Sequence, residues 1–358
     1  EVQTEASRLE TDEEQAAGRI VLETFDRPGP VARLAIEVLV NDSPAIEPFA
    51  DDGEKLAHVV LPVHPAFDGL DKVIPASVKN YAAMYNGKVM AVPMNVHIVT
   101  MWYNPKVLSD AGVTLPDGGF KTWADFFAAC DKIKAAGKTC LALGPAWTAE
   151  HLFENVMIGS LGADGWNGLW DGKTDWASAD VTTALNNYQK ALSYTNSDAA
   201  TLSDWQPAAK LMIDGDAAFN IMGDWAYGYF ANPDPNGLAL KPHTDFEWAV
   251  SPGTYGVFNF LSDSFVLPAN AKRPESTMAW LTVAASKEGQ EAFNPLKGSI
   301  CARTDCDAKL FNAYLQSAMK DWSSNAIVPS VSPVTLPMRV CRPSTIESAF
   351  AAMLYAIC

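Results

Sequence analysis

The run KVMAVPMNVHIVTMWYN, Lys88 to Asn104, is the strongest constraint on the fold. It is rich in β-formers, contains one Pro and ends on an aromatic pair. It reads as a strand that leaves one domain and enters another. A second extended run, FNFLSDSFVLP from Phe258 to Pro268, has polar residues in its middle and reads as another crossing. The chain has 358 residues. That is more than one hydrophobic core usually supports, so two domains are expected.

Between the crossings the pattern alternates. TWADFFAACDKIKAA, Thr122 to Ala136, reads as a helix with Thr122 and Asp125 as a capping box. Its apolar stripe is Trp123, Phe126, Phe127, Cys130 and Ile133, and Gly137 is its stop. CLALG then reads as a short buried strand. PKVLSDAG reads as a short helix closed by Gly112. KRPESTMAWLTVAAS reads as a helix with Pro274 near its first turn, followed by a second helix capped by Ser286. Helices alternating with short strands suit an α/β protein of two lobes. VARLAIEVLV, Val31 to Val40, fits a strand or a helix. The acidic opening, with Glu10, Asp12, Glu13 and Glu14, reads as a solvated helix face.

Several chemistries lack support. The net charge of −16 argues against a nucleic-acid partner, which would call for a basic stripe. No phosphate loop, dinucleotide fingerprint, nucleophile elbow or zinc-protease helix occurs. The five His are scattered singly, and the six Cys include no CxxC pair, so neither a metal nor a cofactor is called for. Cys130 with Cys140, and Cys301 with Cys306, are spaced either for disulfides in an oxidising compartment or for buried free thiols. No apolar run is long enough to span a membrane. No signal peptide opens the chain, which fits a mature form or a cytoplasmic protein.

A ligand site has better support. NIMGDWAYGYF, Asn220 to Phe230, sets Trp225 beside Gly and Asp. A neutral sugar needs an aromatic face for its C–H surface and charged or amide groups for its hydroxyls. Trp225 supplies the face, Asp263 in LSDSF the acceptor and Lys297 in NPLKGS the donor. Each has a plainer reading: core for Trp225, a loop cap for Asp263, a surface charge for Lys297. Tyr227, Tyr229 and Phe230 read as the core face of the helix that follows.

These residues lie in runs that together resemble a known family. The runs are NGKVMAVPMNVHIVTMWYNPKVLSDAGV, KTWADFFAACDKIKAAGKTCLALGPAWTAEHLFE, AAFNIMGDWAYGYF, PGTYGVFNFLSDSFVLP and AFNPLKGSICARTD, in order across about residues 78 to 330. They resemble the extracellular solute-binding proteins (family 1) of carbohydrate ABC transporters, and within them the glucose/galactose-binding subgroup. The resemblance implies a two-lobed α/β fold of the periplasmic binding protein kind, type II-like, with a ligand cleft between the lobes. Three hinge crossings are expected near 97–104, 258–264 and 294–300. One lobe would hold 1–98 and 265–297, the other 99–264 and 298–358. It further implies a non-catalytic, extracytoplasmic or periplasmic monomer that closes on a glucose- or galactose-like monosaccharide and docks on a membrane permease. Trp225 would stack on the sugar, Asp263 would bind hydroxyls and Lys297 would donate, with His97 close to the cleft.

The chain departs from that pattern near its start. Glu5 and Ala6 stand near the family's Trp pair, and Glu10 or Glu13 stands in for its sugar-binding Glu. Cys301 replaces a usual Pro, and Ser332 and Pro333 occupy the place of a late His. Losing the Trp pair removes stacking from one side of the sugar. An oligosaccharide- or polyol-binding protein therefore stays open as a reading, as does a secreted carbohydrate-active enzyme.

Overall fold

The computed structural model describes strands 19–24 and 34–39, and residues 60–330 apart from positions 68, 86, 234 and 236. Glu10, Glu13, Ser332, Pro333, Cys341 and Cys358 lie outside the described residues. The run VARLAIEVLV yields a strand: β1 (Arg19–Thr24) and β2 (Leu34–Leu39) pair antiparallel. These two strands belong to one unit, Glu1–Ala50 with Arg342–Cys358. The other unit, Asp51–Cys341, carries all the remaining described elements.

In that unit the Lys88–Asn104 run divides into several strands. β3 (Val60–Leu61) comes first, then a small hairpin of β4 (Met84–Tyr85) and β5 (Lys88–Val89), then β6 (Ala91–Pro93) and β7 (His97–Tyr103). Helix α1 (Pro105–Asp110) follows, capped by the Asn104 side chain. Helix α2 (Trp123–Ala135) carries the expected capping box, Thr122 accepting from the Asp125 backbone and Asp125 from that of Thr122. Its stripe Trp123, Phe126, Phe127, Cys130 and Ile133 is buried. β8 (Thr139–Ala142) is joined to it by a Cys130–Cys140 disulfide.

Helix α3 (Ala146–Asp171) is long and kinked at Gly162, whose φ of 70° and ψ of 177° interrupt it. Helices α4 (Ala179–Leu192) and α5 (Trp205–Ile213) lead to β9 (Ala217–Gly223), helix α6 (Trp225–Ala231) and β10 (Glu247–Ala249). The Phe258–Pro268 run also divides, into β11 (Val257–Leu261) and β12 (Ser264–Pro268). Helices α7 (Pro274–Ala285) and α8 (Lys287–Lys297) follow, α8 capped by Ser286 as expected. Cys301 and Cys306 form the second disulfide. Helix α9 (Ala313–Ser324) and β13 (Ala326–Pro329) end the described chain.

The strands make two main sheets. The larger has the order β13-β11-β7-β9-β8, with β10 also on β7; the smaller has the order β3-β12-β6. β9 reads AAFNIMG and is buried throughout, as a strand covered on both faces must be. Trp102 of β7 is fully buried, and its ring meets those of Tyr227, Phe230, Phe246, Trp248 and Tyr314. Its indole N–H donates to the Met222 carbonyl at 3.1 Å, so the polar atom stays satisfied inside the core.

The site depends on how the chain passes between the sheets. Met94–Val96 leads from β6 to β7, and Ser262–Asp263 leads from β11 to β12. The two segments are tied together: Met94 N–H donates to the Asp263 carbonyl, and Asp263 N–H to Asn95 Oδ1, both at 2.8 Å. A third segment follows α8, where Val96 and Ile300 exchange backbone hydrogen bonds. Beyond it the chain stays beside the earlier elements a little longer, Thr304 N–H bonding the Val73 carbonyl.

Candidate functional site

The junction of these three segments gathers residues that are far apart in sequence. His97 opens β7 where it pairs with the end of β11, Leu261 lying opposite His97. Asp263 is two residues further on. Lys297 closes α8, and Gly298 ends that helix in the left-handed conformation, φ 84°. Trp225 opens α6 directly after β9, the strand that flanks β7. Its ring folds back over Gly223: a Cβ there would lie 2.2 Å from Trp225 Cζ3, so the glycine is required. Thus His97, Trp225, Asp263 and Lys297 share one place. Tyr227, Tyr229 and Phe230 pack as expected: Tyr227 stacks on Tyr314, Tyr229 meets Trp205 edge-on and Phe230 is buried.

Two further residues complete the cluster. Asp224 is the N-cap of α6, yet its carboxylate caps nothing. It is fully buried and faces His97 Nδ1 at 2.5 Å, and it also accepts from the Ile98 N–H. Asn95 donates to Asp263 Oδ2 at 2.8 Å. His97 Nε2 lies 3.1 Å from the same oxygen and Lys297 Nζ lies 3.6 Å from it. Every hydrogen bond of the Asp263 carboxylate among the described residues is therefore on Oδ2. Oδ1 is left open on a side chain that is 47% exposed. Lys297 Nζ also sits 3.3 Å from His97 Nε2 and 5.4 Å from the centre of the Trp225 ring.

Burial and neighbouring charges set the titration of the cluster. Burial opposes a proton on His97, and Lys297 adds to that, but Asp224 and Asp263 outweigh both and raise its pKa. The imidazolium then donates on both sides, Nδ1–H to Asp224 and Nε2–H to Asp263. Burial also pushes the Asp263 carboxyl up, but the Lys297 and His97 charges, with hydrogen bonds from His97 and Asn95, hold it well below the usual carboxylate range. Burial pushes the Asp224 carboxyl up against the pull of His97 and Lys297, so Asp263 is the carboxylate that the cluster keeps ionised. Such a site offers a fixed charged acceptor without demanding a charged ligand.

Helix α3 brings a second wall. Trp147 and His151 lie one turn apart, and both rings meet Trp225, at centroid distances of 6.4 and 5.7 Å. His151 is buried, and Glu154 on the same face accepts from Asn259 at 3.0 Å and Ser330 at 2.7 Å. Glu150 directly precedes His151, and burial with the neighbouring Glu154 pushes its pKa up to about 8. The folded chain thus holds a proton on Glu150 that the unfolded chain releases above about 4.5. Stability conferred by that proton falls as pH rises from about 4.5 to 8, by at most about 1.4 kcal/mol per pH unit. Glu150→Gln is expected to flatten this fall in urea unfolding. Stability should rise at pH 8 and stay unchanged at pH 4; equal profiles for the two proteins would disprove the assignment.

A family model described as bacterial extracellular solute-binding protein matches residues 12–330. The chain belongs to the bacterial extracellular solute-binding proteins. It is 34% identical over 71% of its length to a probable sugar-binding periplasmic protein of Mesorhizobium japonicum, the match covering 60% of that protein. It is 33% identical over 70% of its length to an uncharacterised ABC transporter extracellular-binding protein of Pyrococcus horikoshii, covering 55% of it. The matches thus span 55–60% of these curated relatives. Among solved structures, the bacterial solute receptor AcbH, described as preferring β-D-galactopyranose, superposes with a TM-score of 0.69 at 18% identity, over 84% of this chain and 75% of its own. A chitin oligosaccharide binding protein gives 0.66 at 18% identity, over 85% and 75%. These likenesses establish the two-lobed α/β fold of solute-binding proteins.

Asp224, Asn95, Trp147, Glu150 and His151 were not singled out from the sequence. The signal for Asp224 was its place directly before Trp225. Asn95 lies two residues before His97 in an extended segment, which puts both on one side. Among the described residues, no group of three or more His, Cys, Asp or Glu is arranged to hold a metal ion. No helix there is long and apolar enough to cross a membrane.

Proposed function

We propose that this solute-binding protein captures a neutral sugar, with a glucose- or galactose-like pyranose as the recognised unit, and hands it to an ABC transporter permease. The observation that carries the reading is that His97 and Lys297 each touch both the partly buried Trp225 ring and the Asp263 carboxylate, at the junction of the three inter-sheet segments. The indole covers the C–H face of a pyranose; Oδ1 accepts from its hydroxyls. Lys297 supplies a donor, and His97 acts through Asp263 by holding its other oxygen. Names among the relatives support a carbohydrate ligand, as in the xylose/arabinose-binding protein XacG of Haloferax volcanii.

In this reading one lobe holds 1–98 with 265–297 and the other 99–264 with 298–358. Trp225 and Asp263 belong to the second of these lobes and Lys297 to the first, so a sugar that touches residues of both favours the closed form, which the permease reads. The protein works outside the cytoplasm as a monomer and performs no chemistry on its ligand. Native mass spectrometry of the purified chain, alone and with D-glucose or D-galactose, tests this. One retained or acquired hexose per chain is expected, with no turnover of chromogenic glycosides. No hexose from either sugar, or release of the chromophore, would overturn it.

A further inference from the structure

The Trp225–Asp263 site accounts for one sugar ring, yet the apolar floor runs on beyond Trp225. Trp147, in the first turn of α3, is 38% exposed, so a large apolar ring stands open beside the site. Its plane is inclined 41° to that of Trp225 with ring centres 6.4 Å apart. The two indoles are ring neighbours, so Trp147 adds exposed apolar surface next to the Trp225 ring.

The surface is held in place. His151 meets the Trp147 ring edge-on at 5.5 Å and the Trp225 ring at 5.7 Å, so one buried imidazole wedges both. Behind it Glu154 is fixed by Asn259 and Ser330. A floor that rigid loses little freedom on binding. Polar groups flank it unevenly. Charged partners cluster on the Trp225 side, at Asp263 and Lys297. On the Trp147 side the partly exposed Glu150, one helical turn further along the same face, is the acidic group. A carboxyl protonated at neutral pH both donates and accepts, which suits a hydroxyl of either orientation.

We propose that Trp147 is a second sugar platform, and that the ligand is a glycan of at least two rings whose first ring occupies the Trp225–Asp263 site. This rests on the sugar-binding reading above and narrows it from a free monosaccharide to a glycoside.

The test is isothermal titration of the full chain and its Trp147→Ala and Trp225→Ala variants. D-glucose and D-galactose are compared with α- and β-linked disaccharides of the same sugars. Circular dichroism verifies that each variant is folded. In the unaltered chain the best disaccharide should bind at least about tenfold tighter than the best monosaccharide. Trp147→Ala should weaken the disaccharide more than the monosaccharide and so erase that gain. Trp225→Ala should weaken both. Equal loss for both ligand sizes on Trp147→Ala would mean that the two indoles clamp one ring, and would overturn the proposal. So would a disaccharide that binds no better than a monosaccharide; the sugar-binding reading would survive either result. Failure of every sugar to bind would remove both.

Discussion

Replacing Asp263 with alanine is expected to lower sugar affinity by about 10- to 150-fold, the equivalent of about 1.5–3 kcal/mol for a hydrogen bond to a charged group. The carboxylate has divided duties. Oδ2 is held by Asn95 and His97 with Lys297 close by, and Oδ1 takes no hydrogen bond from the described residues. Alanine removes the acceptor and also leaves Lys297 and the His97 imidazolium with one carboxylate fewer. Asp263→Asn separates these effects, since the amide oxygen still accepts while the charge is gone; its loss should be smaller. Titration calorimetry with the best-binding sugar reads both variants. Affinities within twofold of the unaltered chain would remove Asp263 from the site.

The largest effect on stability is expected at Trp102. Truncation to alanine should cost about 3–5 kcal/mol, the usual range for a buried Trp. The site warrants it: Trp102 is fully buried, meets the rings of α6, β10 and α9 together, and satisfies its indole N–H on Met222. A domain whose total stability is only about 5–15 kcal/mol would lose a large part of it. The effect should reach function as well, because Trp102 anchors β7, the strand that begins at His97. Trp102→Phe should recover much of the loss, keeping a ring but not the hydrogen bond. Trp225→Ala provides the contrast: its ring is only partly buried against the core, so its cost in urea unfolding should be smaller than that of Trp102→Ala. Trp102→Ala losing less than about 1 kcal/mol would mean that the aromatic cluster does not hold the sheet.

What the sequence disclosed was local. The Thr122–Asp125 box, the Ser286 cap, the stripe of α2 and the buried strand at β8 each depend on residues within a turn or two of one another. The breaks inside the two extended runs were not legible, because Met94–Val96 and Ser262–Asp263 turn from one sheet to the other on hydrogen bonds made between the runs. The kinked α3 was missed as an element, and Trp147 with it as a neighbour of Trp225.

The site was half legible. Trp225, Asp263, Lys297 and His97 emerged as candidates, the first three from ligand chemistry and all four from resemblance. Their convergence is a property of strand order, β11 beside β7 beside β9, which no local pattern encodes. Asp224 illustrates the limit. An Asp directly before a helix reads as a cap, but its carboxylate is turned to a histidine 127 positions away.

A crystal structure of the chain with its best-binding sugar tests the central claim most directly. The account predicts a pyranose with its C–H face on the Trp225 indole, and a hydroxyl within hydrogen-bond distance of Asp263 Oδ1 while Oδ2 keeps Asn95 and His97. A sugar bound elsewhere, or one bound with Oδ1 still facing solvent, would contradict it.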